Sequence, residues 1–326
     1  MDITRRHILA TGLAAGALAI GPRTALAAPK FNVVATTGMI ADAARVILGE
    51  SGEVRPLMGP GVDPHSFRQT RSDIVALIRA DLTLYHGLYL EAQMEEFLID
   101  LARKRPVAAV AEGLSRDRLL SHPDYENRLD PHVWMAPNIW TDVVAKIAQV
   151  LRSARPDLPA EEIAAMDART AAYRGEVDAL HDYAIDVLKS VPEQARVLVT
   201  AHDAFSYFGR EYGFEVLGVQ GISTESEAGL NRIKRLVDVL VQREIGAVFV
   251  ETSVSDRNMR ALIEGAAALG HKVEIGGELY SDAMGEPGTY EGTYPGMIDH
   301  NITTIARGLG GNVPARGMAG KLTAGL

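Results

Sequence analysis

Along residues 31–110, short apolar runs rich in β-branched residues alternate with stretches whose apolar positions recur at helical spacing. Residues 31–36 read as a strand, and Gly38 leads into an apolar-periodic helix over 39–48. Residues 54–58 form a second strand stopped by Gly59-Pro60-Gly61. Residues 72–80 are helical, 82–85 strand-like, 91–103 helical, and 107–110 again a strand. The later part of the chain repeats the rhythm. It has strands at 197–200, 215–218, 247–251 and 272–275, and helical patterns through 208, over 230–243 and over 257–269. Strands alternating with helices imply crossover units and parallel pairing. The expected fold class is therefore α/β: two lobes, each with a mostly parallel four-stranded sheet flanked by helices.

Residues 159–191 separate the two rhythms. This stretch has Pro159 where the first turn of a helix tolerates it, Pro192 directly after it, and Gly175 as its one glycine. As one helix it would run roughly 50 Å at about 1.5 Å per residue; a break at Gly175 would leave two shorter ones. The expected division is an N-terminal lobe over 28–158, a linking helix over 159–191 and a C-terminal lobe over 192–326. A single stiff helix passing both lobes would limit how far they can hinge.

Composition adds an address and several exclusions. Thr4-Arg5-Arg6-His7-Ile8-Leu9, a mild Ala/Gly/Leu stretch over 10–20 and Ala25-Leu26-Ala27 make residues 1–27 a twin-arginine-like export signal. The chain carries a formal charge of -9. Removing 1–27 takes away three arginines and one aspartate and leaves about -11, an acidic surface that argues against nucleic acid and anionic lipid as partners. The 326 residues contain no cysteine. That excludes disulfides, thiolate metal sites, cysteine nucleophiles and lipid attachment through cysteine, and leaves metal sites of histidine and carboxylate open. The expected product is a soluble periplasmic protein without a lipid anchor, and a monomer.

Four segments carry candidate chemistry. Asp-Pro-His occurs twice, as Asp63-Pro64-His65 after the predicted strand at 54–58 and as Asp130-Pro131-His132 near the end of the first lobe. Proline fixes φ before each imidazole, and the aspartate can accept the second ring N–H or cap the next helix. A lone histidine is usually structural; two copies of one tripeptide in a cysteine-free chain point to ligands. His202, in Thr200-Ala201-His202-Asp203, follows a predicted strand at the end where ligands gather in parallel sheets. The segment Gly276 to Asp282 also follows a strand and offers either Glu278 or Asp282. Three imidazoles suit Zn²⁺, Ni²⁺, Cu²⁺ or Fe²⁺, and a carboxylate widens the set toward Mn²⁺. Four protein ligands leave no obligatory open position, as in a site that holds a metal rather than uses it. Glu251, at a strand end, could orient a ligand or serve as a catalytic base, and the first reading is preferred.

The remaining candidates read as structural. His86 is expected in the interior, and His122, His181, His271 and His300 on the surface or in structural roles. Trp134 and Trp140 are expected to pack the floor of the cleft, and Glu225 and Glu227 to occupy the first turn of a helix, where negative charge is favourable.

Taken together, these segments resemble the metal-receptor proteins of bacterial ABC importers for zinc and manganese, most of all the TroA type. The resemblance runs from Thr36-Thr37-Gly38-Met39 through Met58-Gly59-Pro60-Gly61-Val62-Asp63-Pro64-His65, Asp130-Pro131-His132-Val133-Trp134, Thr200-Ala201-His202-Asp203-Ala204-Phe205 and Tyr280-Ser281-Asp282-Ala283-Met284-Gly285 to Glu291-Gly292-Thr293-Tyr294. It covers about residues 31–310. It implies two α/β lobes, a long linking helix and a buried metal held by His65, His132, His202 and Asp282, which selects Asp282 over Glu278. Many manganese-type relatives have glutamate where this chain has His202, which shifts the expected cargo toward zinc while keeping manganese. The histidine-rich loop of many zinc-type relatives is absent, since residues 113–130 hold only His122. The implied function is a high-affinity periplasmic receptor that delivers one Zn²⁺ or Mn²⁺ to a membrane permease by binding and release, not turnover. The alternatives are a metal-dependent hydrolase or chelatase on the same scaffold, and an adhesin.

Overall fold

The computed structural model describes residues 30–122, 128–225 and 228–323; the export segment expected at 1–27 lies outside the described residues. The first half is built on four parallel strands, β1 (Phe31–Ala35), β2 (Gly52–Pro56), β3 (Leu82–Tyr85) and β4 (Val107–Ala109), side by side in the order β2-β1-β3-β4. Val33 sits opposite Val54 on one side and Leu82 on the other. This central strand is covered on both faces, which is why it reads as continuous apolar residues rather than alternation. The crossovers are α1 (Gly38–Leu48), α2 (Arg71–Arg79) and α3 (Glu95–Ala102). α2 starts where its sequence dictates: the Thr70 side chain accepts from the Asp73 N–H and the Asp73 carboxylate accepts from the Thr70 N–H, a reciprocal cap.

Two helices lie outside the expected pattern: α4 (Pro137–Ala154), with proline in its first turn, and, near the end of the chain, α9 (Tyr294–Gly308). Between them lies α5 (Ala160–Leu188), one unbroken helix through Gly175. Its buried positions, Met166, Tyr173, Val177, Leu180, Ala184 and Val187, recur every three, four or seven residues and form a single stripe. The early turns face the first half. There Arg169 donates to the Ile47 carbonyl, Tyr173 to Asp42 and Arg174 to Thr141.

The second half contains α6 (Ser206–Tyr212), α7 (Leu230–Gln242) and α8 (Arg257–Ala268) around β5 (Val197–Thr200), β6 (Glu215–Gly218), β7 (Ala247–Glu251) and β8 (Glu274–Leu279). The later turns of α5 reach this half: Tyr183 bonds Thr303 on α9, and His181 bonds Tyr212 at the end of α6. The four strands hydrogen-bond as two parallel pairs, β5 with β6 and β7 with β8, with β5 packed beside β7. Val199, Val248, Leu240, Met259 and Leu262 form the core of this half.

β8 runs four residues beyond the strand expected at 272–275. Gly276-Gly277 looks like a strand stop, but here glycine admits neighbours: a Cβ on Gly276 would lie 3.0 Å from the Phe249 ring, and one on Gly277 would collide with Thr304 of α9. α3 starts at Glu95 rather than at residue 91 because Glu91 is used otherwise. Its buried carboxylate accepts from Thr36 Oγ1 at 2.6 Å and from the His86 and Gly87 N–H groups at 2.7 and 3.2 Å, which holds the turn after β3. Gly87, Leu88 and Tyr89 all have positive φ in that turn. Glu225 precedes α7 by several residues and does not occupy its first turn; Glu227 lies outside the described residues. Among the described residues, no helix is long and apolar enough to cross a membrane.

Candidate metal centre

Each candidate ligand stands on a segment that leaves the carboxyl end of a strand or closes a half. His65 follows β2 in the loop after Pro64, and His132 follows Pro131 and opens a helical turn at Val133–Met135. His202 comes two residues after β5, and Asp282 three residues after β8. The chain brings these four side chains together. One donor atom from each lies within 4.8 Å of all the others, and the residues are 3%, 0%, 0% and 2% exposed. The Nε2 atoms of His65 and His132 are 3.2 Å apart; Asp282 Oδ1 lies 3.4 Å from His132 Nε2 and 3.9 Å from His65 Nε2; Asp282 Oδ2 lies 3.2 Å from His202 Nε2. Four ligands about 2.0–2.2 Å from a tetrahedral ion would stand roughly 3.3 Å from one another, close to these separations. His202 Nε2 and Asp282 Oδ1 are buried with no hydrogen-bond partner. Orphaned lone pairs at the centre of such a cluster fit a single metal ion. Glu278, by contrast, lies within β8, so the carboxylate of the cluster is Asp282.

Carboxylates fix two of the rings. Asp130 Oδ1 accepts both the backbone N–H of His132 and its Nδ1–H, at 2.9 and 2.8 Å. Glu251 takes the His202 backbone N–H at 2.9 Å and its Nδ1–H at 2.5 Å. Each arrangement places the ring proton on Nδ1 and bares Nε2 toward the centre. Glu251 is 4% exposed and fully committed to His202, which is the orienting role and not that of a free base. The Trp134 indole donates to the Ser281 carbonyl at 2.7 Å, tying the segment of His132 to that of Asp282, and Ser253 Oγ donates to Asp282 Oδ2 at 3.2 Å.

Burial and mutual charge set the protonation tendencies of the four side chains. Burial pushes His65 down to about 3, helped by the neighbouring imidazoles, so its ring is neutral. Burial also opposes charge on His132, but Asp130 and Asp282 outweigh it and raise the group to about 9. At His202 burial is likewise overcome by Glu251 and Asp282, which raise it well above the imidazole range. Burial would raise Asp282, yet the charge of His202 and the close approach of His132 and His202 hold it well below the carboxylate range. The carboxylates that favour positive charge on His132 and His202 would favour a divalent ion at the same place.

Among the described residues, His86, His181, His271 and His300 take structural places and have partners that sequence reasoning did not give them. His86 is fully buried against Trp134 and Trp140, and its Nε2 bonds the Pro131 carbonyl at 2.7 Å, backing the second Asp-Pro-His segment. His271 and His300 bond the Ile245 and Glu278 carbonyls, and His181 meets Tyr212. His122 lines a cavity beside His65. Trp134 and Trp140 are fully buried; Trp134 packs edge-on against His132, and Trp140 stacks with Tyr294 and His86.

A buried three-histidine, one-carboxylate cluster set where parallel strands end defines an α/β metal-binding protein of the receptor kind. The chain belongs to the ZnuA family, the periplasmic component A of the zinc-uptake complex, whose model matches residues 33–308. It is 46% identical over 281 residues to the manganese-binding lipoprotein MntA of Bacillus subtilis, covering 86% of this chain and 90% of that one. It is 44% identical over 310 residues to the zinc-binding protein TroA of Treponema pallidum, covering 94% and 99%. The solved structure of that periplasmic zinc-binding TroA superposes with a TM-score of 0.82 over 86% of this chain and 99% of the other.

Proposed function

We propose that this protein is a periplasmic receptor that captures one divalent transition-metal ion, zinc or manganese, and hands it to the permease of an ABC importer. The ligands in this reading are His65, His132, His202 and Asp282. The observation that carries it is that four donor atoms from four separate segments converge within 4.8 Å while almost wholly shielded from water. Family membership and the metals named for MntA and TroA support the same cargo.

The reading divides the chain into an N-terminal lobe at 28–158, the helix segment at 159–191 and a C-terminal lobe at 192–326. α5 is the stiff brace between the lobes, because its early and late turns bond to opposite halves. Residues 1–27 are the export signal. One chain supplies every ligand, so a monomer suffices. The protein works by binding and release and is not an enzyme: the one candidate base, Glu251, is spent on orienting His202. Isothermal titration of metal-free protein should show one tight site, greatly weakened in His65→Ala and in His202→Ala. Unchanged affinity in both variants would overturn the assignment.

A further inference from the structure

One arrangement repeats around the three imidazoles, with a difference at one of them. Asp63 Oδ1 accepts the backbone N–H of His65 at 2.9 Å, as Asp130 and Glu251 do for His132 and His202. The latter two also hold the ring Nδ1. Asp63 does not. Its second oxygen instead accepts from Ser66 Oγ at 2.7 Å and from Thr224 Oγ1 at 2.5 Å. Among the described residues no carboxylate is bonded to Nδ1 of His65, so apart from its Nε2 contact with His132 this residue is held through its own loop. The Thr224 bond spans 161 residues and joins that loop to the segment after β6 in the other half. Next to it, Gln93 donates to Glu225 at 2.5 Å across the same seam.

The loop of His65 has room on both sides. A cavity of about 230 Å³ opens against His65 and is lined on the far side by Ile222, Ser223 and Glu225. A second cavity, of about 600 Å³, is lined by Met58, Gly59, Pro60 and Val62 of the same loop and reaches Asp282. The loop is packed on one side through Met58, Val62 and Phe67, and the Asp63 tether adds a fixed point beside the two cavities.

We propose that Thr224 is a positioning residue for metal retention: its hydroxyl, acting through Asp63, keeps His65 on the ion. The inference rests on His65 being a ligand. Cutting this one bond leaves the local turn intact, because Ser66 and the His65 N–H still hold Asp63.

The test loads the full-length chain with Co²⁺, follows its release into excess EDTA, and records the visible cobalt bands that report ligand number. Thr224→Val should speed release about 10-fold or more, the lower end of what loss of a ligand-orienting partner costs. It should shift the cobalt spectrum toward that of His65→Ala and leave the melting temperature of metal-free protein unchanged. Thr224→Ser, which keeps the hydroxyl, should restore native release. If His65→Ala releases cobalt no faster than the native chain, the ligand assignment itself fails. If His65→Ala accelerates release while Thr224→Val matches the native chain, or if Thr224→Ser is as fast as Thr224→Val, the latch is overturned and the ligand assignment stands.

Discussion

An imidazole that binds an ion through Nε2 must keep that nitrogen bare, and a carboxylate at Nδ1 enforces this by holding the ring's only proton on the far side. Glu251 does so for His202 while also taking its backbone N–H. In Glu251→Gln the amide can turn its NH₂ toward Nδ1, which drives the ring proton to Nε2, the atom the ion needs. Metal affinity should fall about 10- to 100-fold, read by competition with a chromophoric chelator; an unchanged affinity would show that Glu251 does not set the tautomer. The same variant separates a receptor from a hydrolase, since a catalytic base could be removed with the metal still tightly held. At this scale the sequence identified ligand types well, because each histidine follows a strand end or a proline that fixes its backbone. It could not distinguish the two Asp-Pro-His copies. Asp130 holds its histidine's ring, whereas Asp63 turns to Ser66 and Thr224, a choice made by tertiary neighbours 161 residues away.

Among the elements, strands and crossover helices with one exposed face were legible from their period alone, and β3 and β5 to β7 fall where the pattern put them. α9 was hidden for the opposite reason. Its residues from Tyr294 to Ala306 are buried on every side, so no polar face marks its period. α4 does carry a stripe, Ile139, Trp140, Val143, Val144, Ile147 and Leu151, which is legible once Pro137 is taken as a first-turn residue rather than a break. The long α5 was legible because it lacks internal proline, and its continuity through Gly175 makes a prediction. A Cβ at Gly175 would meet nothing within 4 Å, and the residue is in ordinary helical backbone. Gly175→Ala should therefore stabilise the protein by about 0.5–1 kcal/mol by removing backbone freedom from the unfolded chain. Urea unfolding checks it: a lower midpoint in the variant would mean that the helix is interrupted at this residue in solution.

For the whole molecule, the decisive property is that metal and protons compete for one buried site. With imidazoles of ordinary pKa, about 6.5, loading would strengthen with pH and level off above neutrality. Here His132 is raised to about 9, because Asp130 and Asp282 outweigh its burial, and His202 is raised in the same sense by Glu251 and Asp282. Near neutral pH the incoming ion must displace a proton from each. Apparent affinity should therefore keep rising with pH, by up to about 100-fold per pH unit while both protons are displaced, with the slope easing as the pH passes about 9. The metal-free protein should show the opposite trend. Groups whose pKa is raised by folding lend stability that is complete below their unfolded value, about 6.5, and is lost as the pH climbs through the folded one. Between about pH 6.5 and 9 the metal-free form should melt at progressively lower temperature, while the gap between loaded and metal-free melting widens. Titration at pH 7.5 in buffers of different ionisation enthalpy counts the protons directly. A release approaching two per ion fits a site that trades imidazolium charge for metal charge, and a release near zero would mean that both rings are already neutral and that the buried carboxylates are balanced in some other way.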